Sequence, residues 1–206
     1  MVITKKKIIA QGAEAKIIQK KDFVIKDRIK KSYRIKEIDE KIRKQRTKSE
    51  TKLLDKASQI INSPKPIFIE NLYQIKMPLI KGKKLSDYLD KFSLSKQKQI
   101  CITMGKELAK LHSVDIVHGD LTTSNMIFNE KENKVYFIDF GLGYFSDRIE
   151  DKAVDLHLLN HALSTKHFKN ASILFENVIF GYQDYKKSKE VLIRLKEVEN
   201  RGRYKH

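Results

Sequence analysis

One cysteine, three prolines and no tryptophan occur among the 206 residues, and no stretch of 18 apolar residues is present. The lone Cys101 excludes an internal disulfide. It falls in an apolar-periodic stretch and reads as a small core residue. Without a longer apolar run, no segment suits a helical membrane span. The opening MVITKKKIIAQG has too short an apolar stretch for a secretory signal. Internal repeats are absent, and the only compositional bias is lysine enrichment. These exclusions fit a cytosolic, cytoplasmic protein. A chain of this length buries roughly 70% of its unfolded surface, enough for one compact domain or two small lobes sharing a cleft.

What is present centres on residues 118–141, HGDLTTSNMIFNEKENKVYFIDFG. Asp120 precedes Asn125 by five residues, and an apolar run at 135–138 delivers Asp139 into a glycine turn. This layout suits phosphoryl transfer, which needs positioning and charge neutralisation more than covalent chemistry. Asp120 is the expected catalytic carboxylate, orienting the attacking hydroxyl or water and accepting its proton late. Asn125 and Asp139 are the expected magnesium ligands, one neutral oxygen and one anionic, beside water and phosphate oxygens. His118 reads as a packing and hydrogen-bonding residue. The ordered pair of motifs is far more specific than either alone.

The rest of the chain predicts an α+β protein with a minimal bilobal protein-kinase-like fold. Its N-lobe, residues 1–80, is mainly β with one helical region; its C-lobe, residues 81–206, is mainly α. Strands are expected at 7–11, 16–19 and 23–26. Apolar residues near helical spacing predict one helix or two across 33–61, since Thr47 or Ser49 suits a second helix start. Residues 67–69 and 72–77 read as a hairpin after Pro64 and Pro66. Helices are expected at 85–92, 95–112, 150–163, 166–180 and 184–200.

Lys26 ends the third strand, where a lysine would pair with the α- and β-phosphates of ATP. Its carboxylate partner is expected to be Glu50, 24 residues on, with Glu37 and Glu40 as rivals. Between the first two strands lies Gly12-Ala13-Glu14-Ala15, a candidate nucleotide lid with only one glycine. Multi-glycine loops let backbone N–H groups approach phosphate closely, and alanines take part of that role here. Met77, Pro78 and Ile80 fall where adenine would bind. Pro78 lacks an N–H but keeps its carbonyl as an acceptor; Ile80 supplies a donor, and Met77 backs the pocket.

Two further absences are informative. Position 119 is glycine, where many protein kinases carry an arginine that reads a phosphate on the activation loop. That substitution predicts a site that does not wait for loop phosphorylation. Only 16 residues separate Asp139 from Asp155, with no Ala-Pro-Glu motif between them. A peptide-docking platform is therefore largely missing. Asp155, in KAVDLHLL, resembles the buried helix aspartate that braces a catalytic loop.

Taken with KSYRIKEIDEKIRKQRTKSETKLL at 31–54, IDFGLG at 138–143 and the ending RGRYKH, these pieces resemble the PRPK family. That family supplies the small atypical kinase subunit of the KEOPS complex. The resemblance spans nearly the whole chain. It implies a serine/threonine protein kinase and ATPase using Mg·ATP, acting in threonylcarbamoyl-adenosine modification of tRNA. It also implies two partners: the threonylcarbamoyltransferase subunit at the catalytic lobe, and a small regulatory subunit at the N-lobe. Pro78 stands where the family's hinge carries an acidic residue.

The charge balance adds a third partner. Lys+Arg number 43 against 26 Asp+Glu, a net charge of +17, and such a field attracts polyanions. Residues 26–56 alone carry 13 Lys/Arg and 6 Asp/Glu. They read either as a solvated helical face or as a tRNA- or subunit-facing surface built on Lys30, Lys31, Arg34, Arg43, Arg46 and Lys48. Arg46 alternatively stays near the nucleotide site, and Arg201 and Arg203 are further candidates for tRNA or partner contact. The choline and aminoglycoside kinases share HGD and a following Asn, and provide the alternative reading of a small-molecule phosphotransferase. They build an acidic substrate pocket from a larger C-terminal lobe; the residues after Asp155 here are few and basic.

Overall fold

Period-two alternation organises the first sheet. The computed structural model describes residues 7–203. Strands β1 (Lys7–Gln11), β2 (Ala15–Lys20) and β3 (Phe23–Arg28) pair antiparallel in order. Along β3, Val24, Lys26 and Arg28 turn inward, while Phe23, Ile25 and Asp27 lie on the half-exposed face. This alternation places two cations on the buried face of one strand.

Helix α1 (Lys36–Ala57) follows as one unbroken helix of 22 residues. Thr47 and Ser49 start no second helix. The Thr47 hydroxyl instead donates to the Arg43 carbonyl at 2.8 Å, and Thr51 donates to Thr47 in the same way, so the hydroxyls are satisfied inside the helix. Glu37 and Asp39 in the first turn complement the helix dipole. Leu53, Leu54 and Ala57 are buried, as are Asp39, Thr47 and Glu50.

The expected hairpin at 67–77 does not form. Only one bridge joins Ile67 to Lys76, and β4 (Gln74–Pro78) is the strand that completes the sheet against β3. That bridge is made by Ile67 N donating to the Lys76 carbonyl at 2.7 Å, and beyond it Phe68 is left 88% exposed.

The second lobe begins at β5 (Lys83–Lys84) and α2 (Leu85–Tyr88), which continues into a 3₁₀ turn over Leu89–Lys91. Helix α3 (Leu94–Ser113) is capped by Ser93, whose hydroxyl accepts from Lys96 N at 3.3 Å. Ile100, Cys101, Met104, Leu108 and Leu111 of α3 are buried, as their spacing predicts. Burial pushes the Cys101 thiol up to about 12. Next come β6 (Ile116–Val117), β7 (Met126–Asn129), β8 (Lys134–Phe137) and β9 (Tyr144–Phe145). Strands β5, β7 and β8 form one small sheet, and β6 pairs with β9. Helices α4 (Ile149–Lys166), α5 (Ala171–Tyr182) and α6 (Ser188–Arg203) complete the lobe. The core runs through α3, α4 and α5, with Leu156, Leu159, Leu163, Leu174 and Val178 fully buried. No helix among the described residues is long and apolar enough to cross a membrane. The last residues of the RGRYKH ending, 204–206, lie outside the described residues.

Candidate active site

Lys26 reaches from β3 toward α1. Its Nζ lies 2.7 Å from Glu50 Oε1 and 2.7 Å from Asp139 Oδ1. Neither Glu37 nor Glu40 contacts it; both sit near the start of α1, with Glu37 exposed. A residue that sequence reasoning missed completes the arrangement. Arg28 donates from Nη2 to Glu50 Oε2 at 2.6 Å, so each oxygen of this buried carboxylate has its own cation. The signal was in the alternation: two residues after Lys26, Arg28 faces the same side of the sheet. Lys26 and Arg28 are almost wholly buried, and either cation or the carboxylate alone there would be costly; here each cation is paired with Glu50, although Arg28 Nε is buried without a hydrogen-bond partner.

Asp139 follows β8 with a positive φ of 64° and remains half exposed. Its partial burial favours the neutral acid. Lys26, the Gly141 backbone N–H and His118 outweigh that effect and hold the carboxyl below the usual carboxylate range. Oδ1 takes the bonds from Lys26 and Gly141 N, the latter at 3.1 Å; Oδ2 has no donor among the described residues.

Asp120 and Asn125 are joined directly. Asn125 Nδ2 donates to the Asp120 carbonyl and to Asp120 Oδ2, each at 2.9 Å. Both amide hydrogens are thus committed, and Asn125 Oδ1 is left as a bare acceptor beside the cleft. Asp139 Oδ2 and Asn125 Oδ1 form a hard-oxygen pair of the kind magnesium takes together with water and phosphate oxygens. No cluster of three or more His, Cys, Asp or Glu among the described residues forms an all-protein metal cage. The donors present therefore fit an ion shared with a phosphate.

The loop carrying Asp120 is braced from behind. Asp155 of α4 is fully buried and accepts from His118 N at 2.6 Å and Gly119 N at 2.8 Å. His118 is also buried; its Nε2 bonds to the Ile138 carbonyl at 3.1 Å, which leaves Nδ1 to accept from Asp120 N at 3.3 Å. Gly119 has φ +77°, and a Cβ there would sit 2.2 Å from the Leu142 carbonyl. No side chain fits at this position, arginine included. The short segment after Asp139 is tied down by its backbone: β9 pairs with β6, and Ser146 N donates to the Asp115 carbonyl at 2.8 Å.

Between the lobes lies a cleft of about 370 Å³ whose lining includes Lys26, Glu50, Met77, Pro78, Ile80, Asn125 and Asp139. Leu79 N is committed to the Asp22 carbonyl at 2.9 Å, while Ile80 N–H makes no hydrogen bond among the described residues. Ile80, which lines the cleft, thus keeps an N–H that a ligand there could use. The turn at 12–15 does not line the cleft itself. Ile9 and Ala10 before it and Ile17 after it do, with Gly12 and Ala13 exposed at its tip. Asp120 also sits outside the lining and reaches the cleft through Asn125.

Comparison with known proteins follows the same pattern. A family model described as the RIO domain matches residues 13–143. The KEOPS complex subunit Bud32 of Pyrococcus abyssi is 42% identical over 214 residues, covering 97% of this chain and 96% of that protein. A probable bifunctional tRNA threonylcarbamoyladenosine biosynthesis protein of Methanobrevibacter smithii is 45% identical over 208 residues; 97% of this chain matches 37% of that longer one. Among solved structures, the streptomycin–ATP–APH(2'')-IIa ternary complex aligns with a TM-score of 0.63 over 94% of this chain and 80% of that one. At 13% identity this shows a shared kinase-like fold. Relatedness along almost the entire sequence, and not only through the loop and strand that carry the acidic groups, places the chain in the RIO-domain family and, within it, in the PRPK family to which Bud32 belongs.

Proposed function

We propose that this chain is a Mg·ATP-dependent phosphotransferase of the serine/threonine kinase type that works as an ATPase subunit of a KEOPS complex. Its task is threonylcarbamoyl-adenosine modification of tRNA in the cytoplasm. The observation that carries the reading is the convergence of Lys26–Glu50 from one lobe with Asp120–Asn125 and Asp139 from the other on a single cleft.

In this reading the lobes divide at residues 80 and 81. The adenine sits against Met77, accepts from Ile80 N–H and donates to the Pro78 carbonyl. The 12–15 turn covers the phosphates. Lys26 holds the α- and β-phosphates, and Glu50 with Arg28 holds Lys26 in place. Asn125 Oδ1 and Asp139 Oδ2 hold the magnesium ion, which neutralises charge on the phosphates when bound. Asp120 orients the attacking oxygen and takes its proton late. The Asn125 amide bonds keep Asp120 Oδ2 directed toward the site.

Nothing in the 139–155 interval builds a shelf for a passing peptide. The acceptor is accordingly water, or a residue presented by a docked subunit. Proposed partners are the threonylcarbamoyltransferase subunit at the C-lobe, the small regulatory subunit at the N-lobe, and tRNA. The likeness to an aminoglycoside-bound structure extends to the fold alone, so a small-molecule phosphotransferase is not favoured. ATP hydrolysis by the chain alone, with tRNA, and with the transferase subunit tests the proposal. Turnover that rises only with the transferase supports an ATPase subunit. Fast phosphorylation of generic peptides by the isolated chain favours an independent kinase over an ATPase subunit.

A further inference from the structure

A second ionic network stands behind the 12–15 turn. Glu14 does not itself line the cleft; its Oε2 lies 2.7 Å from Arg46 Nη1 and its Oε1 3.8 Å from Arg34 Nη2. Lys31 Nζ donates to the Ala13 carbonyl, and Ile29 N donates to the Glu14 carbonyl at 3.0 Å. Arg34 leans in turn on Asp39 at 3.7 Å. Asp39 is fully buried and accepts from Arg43 Nε at 2.7 Å and Lys31 N at 3.3 Å. The turn is thus tied at its backbone and its side chain to residues 29–46. Arg46 stands four residues before Glu50 on α1, on the same helix face. Its own carbonyl accepts from Arg28 Nη2 at 3.4 Å, the guanidinium that also binds Glu50.

We infer that Glu14 is a positioning residue: its pair with Arg46, supported by Arg34, latches the β1–β2 turn to helix α1. The latch holds the turn in register with the Lys26–Glu50 pair before nucleotide arrives. The inference rests on the nucleotide reading of the cleft. A turn that must order on binding weakens affinity by the freedom it loses, and a turn already held loses less. With one glycine in place of several, this turn gains its placement from charge pairing with α1.

The consequence has a sign that distinguishes it from simple electrostatics. A carboxylate at the mouth of a polyphosphate site repels the ligand, so removing its charge should tighten binding. A latch predicts the reverse. Glu14→Gln keeps the shape of the side chain and should weaken binding. The Glu14–Arg46 pair is half exposed, 42% for Arg46 and 44% for Glu14, which limits the effect to about three- to fivefold and makes it sensitive to salt.

The test is equilibrium binding of a fluorescent ATP analogue with magnesium to the full chain, comparing wild type, Glu14→Gln, Arg46→Gln, Arg46→Lys and the double variant Glu14→Gln/Arg46→Gln. The latch predicts Kd rising about three- to fivefold in each Gln variant, partial recovery in Arg46→Lys, and a double variant no weaker than the worse single. The wild-type advantage should shrink at high salt. Unchanged or tighter binding in Glu14→Gln overturns the latch, as does a double variant whose losses simply add. If wild type itself fails to bind the analogue, the nucleotide reading falls and the latch with it. Normal wild-type binding with an indifferent Glu14→Gln removes the latch alone.

Discussion

Asp139 divides its two oxygens between the protein and the cleft. One of its oxygens is spent on Lys26 and Gly141, and the other is free for a cation. Asp139→Ala should abolish productive Mg·ATP use, a loss of at least about 3–4 kcal/mol in the barrier, read from steady-state ATP turnover. Unchanged turnover would refute the assignment. Glu50 makes a different prediction because it is buried between two cations. Glu50→Ala leaves Arg28 without a carboxylate and should cost about 3–5 kcal/mol of folding stability as well as activity, measured by urea denaturation. At the rear of the site His112 is fully buried, with Nδ1 2.7 Å from the Tyr182 hydroxyl and Nε2 3.3 Å from Asp155. Burial lowers its pKa below the ordinary 6.5 despite the neighbouring carboxylate. Above that value His112 is neutral folded or unfolded, and its contribution is complete. As pH falls below about 6.5 the unfolded chain takes up a proton that the folded one refuses, so stability declines. Thermal midpoints for wild type from pH 7.5 to about 5 should therefore fall, and His112→Gln should flatten that slope.

Among the elements, helices α3 and α5 cross at their tightest point through a pair of glycines. A Cβ at Gly105 would lie 2.0 Å from the Val178 carbonyl, and one at Gly181 would lie 2.1 Å from the Ile102 carbonyl. Both obstacles are backbone, which cannot turn aside. Gly105→Ala should force the helices apart and destabilise the C-lobe by about 3 kcal/mol or more, detectable as a lower urea midpoint. Helix α1 serves the site in another way. A single helix carries Arg46 and Glu50, so the β1–β2 turn and the carboxylate on Lys26 are set by one body. Two helices broken near Thr47 would have separated those duties. The strand expected at 67–69 is reduced to a single bridge, Ile67 N donating to the Lys76 carbonyl at 2.7 Å, despite the apolar content of Ile67, Phe68 and Ile69.

For the whole molecule, net charge dominates. A surplus of 17 positive charges on 206 residues is far more than an ATP site needs. Neutralising several tRNA phosphates would make affinity fall steeply with salt, by about 0.7–0.9 in the log–log slope for each contact. Filter binding across low to moderate salt measures this, and a flat profile removes tRNA from the proposed partners. Much of the basic character lies on α1 and its approach, although Arg34, Arg43 and Arg46 are partly committed to Asp39 and Glu14. The lysines remain the freer part of that surface: Lys41, Lys44, Lys48, Lys52 and Lys56 are exposed along one helix. In the tail, Arg201 pairs with Glu150 at 2.8 Å, which holds the end of α6 against the start of α4.

Sequence by itself determined the order of the parts. The spacing of Asp120, Asn125 and Asp139, the strand that carries Lys26 (which runs two residues past it, to Arg28), the apolar face of α3 and the short interval to Asp155 are all local properties, written in nearest neighbours and helical or strand period. Tertiary structure decided which partners meet. Glu37, Glu40 and Glu50 lie on one basic helix and look alike in sequence. Only Glu50 lies far enough along α1, on the buried face, to reach Lys26. Strand alternation put Arg28 on the face of Lys26 but did not show that it meets Glu50; Glu14 on Arg46 and the carbonyl that bars a side chain at 119 were invisible, because each depends on surfaces brought together across separate elements. The physical reason is that hydrophobic periodicity specifies which face is buried, whereas charge pairing depends on distances of a few ångströms that exist only after the lobes have packed.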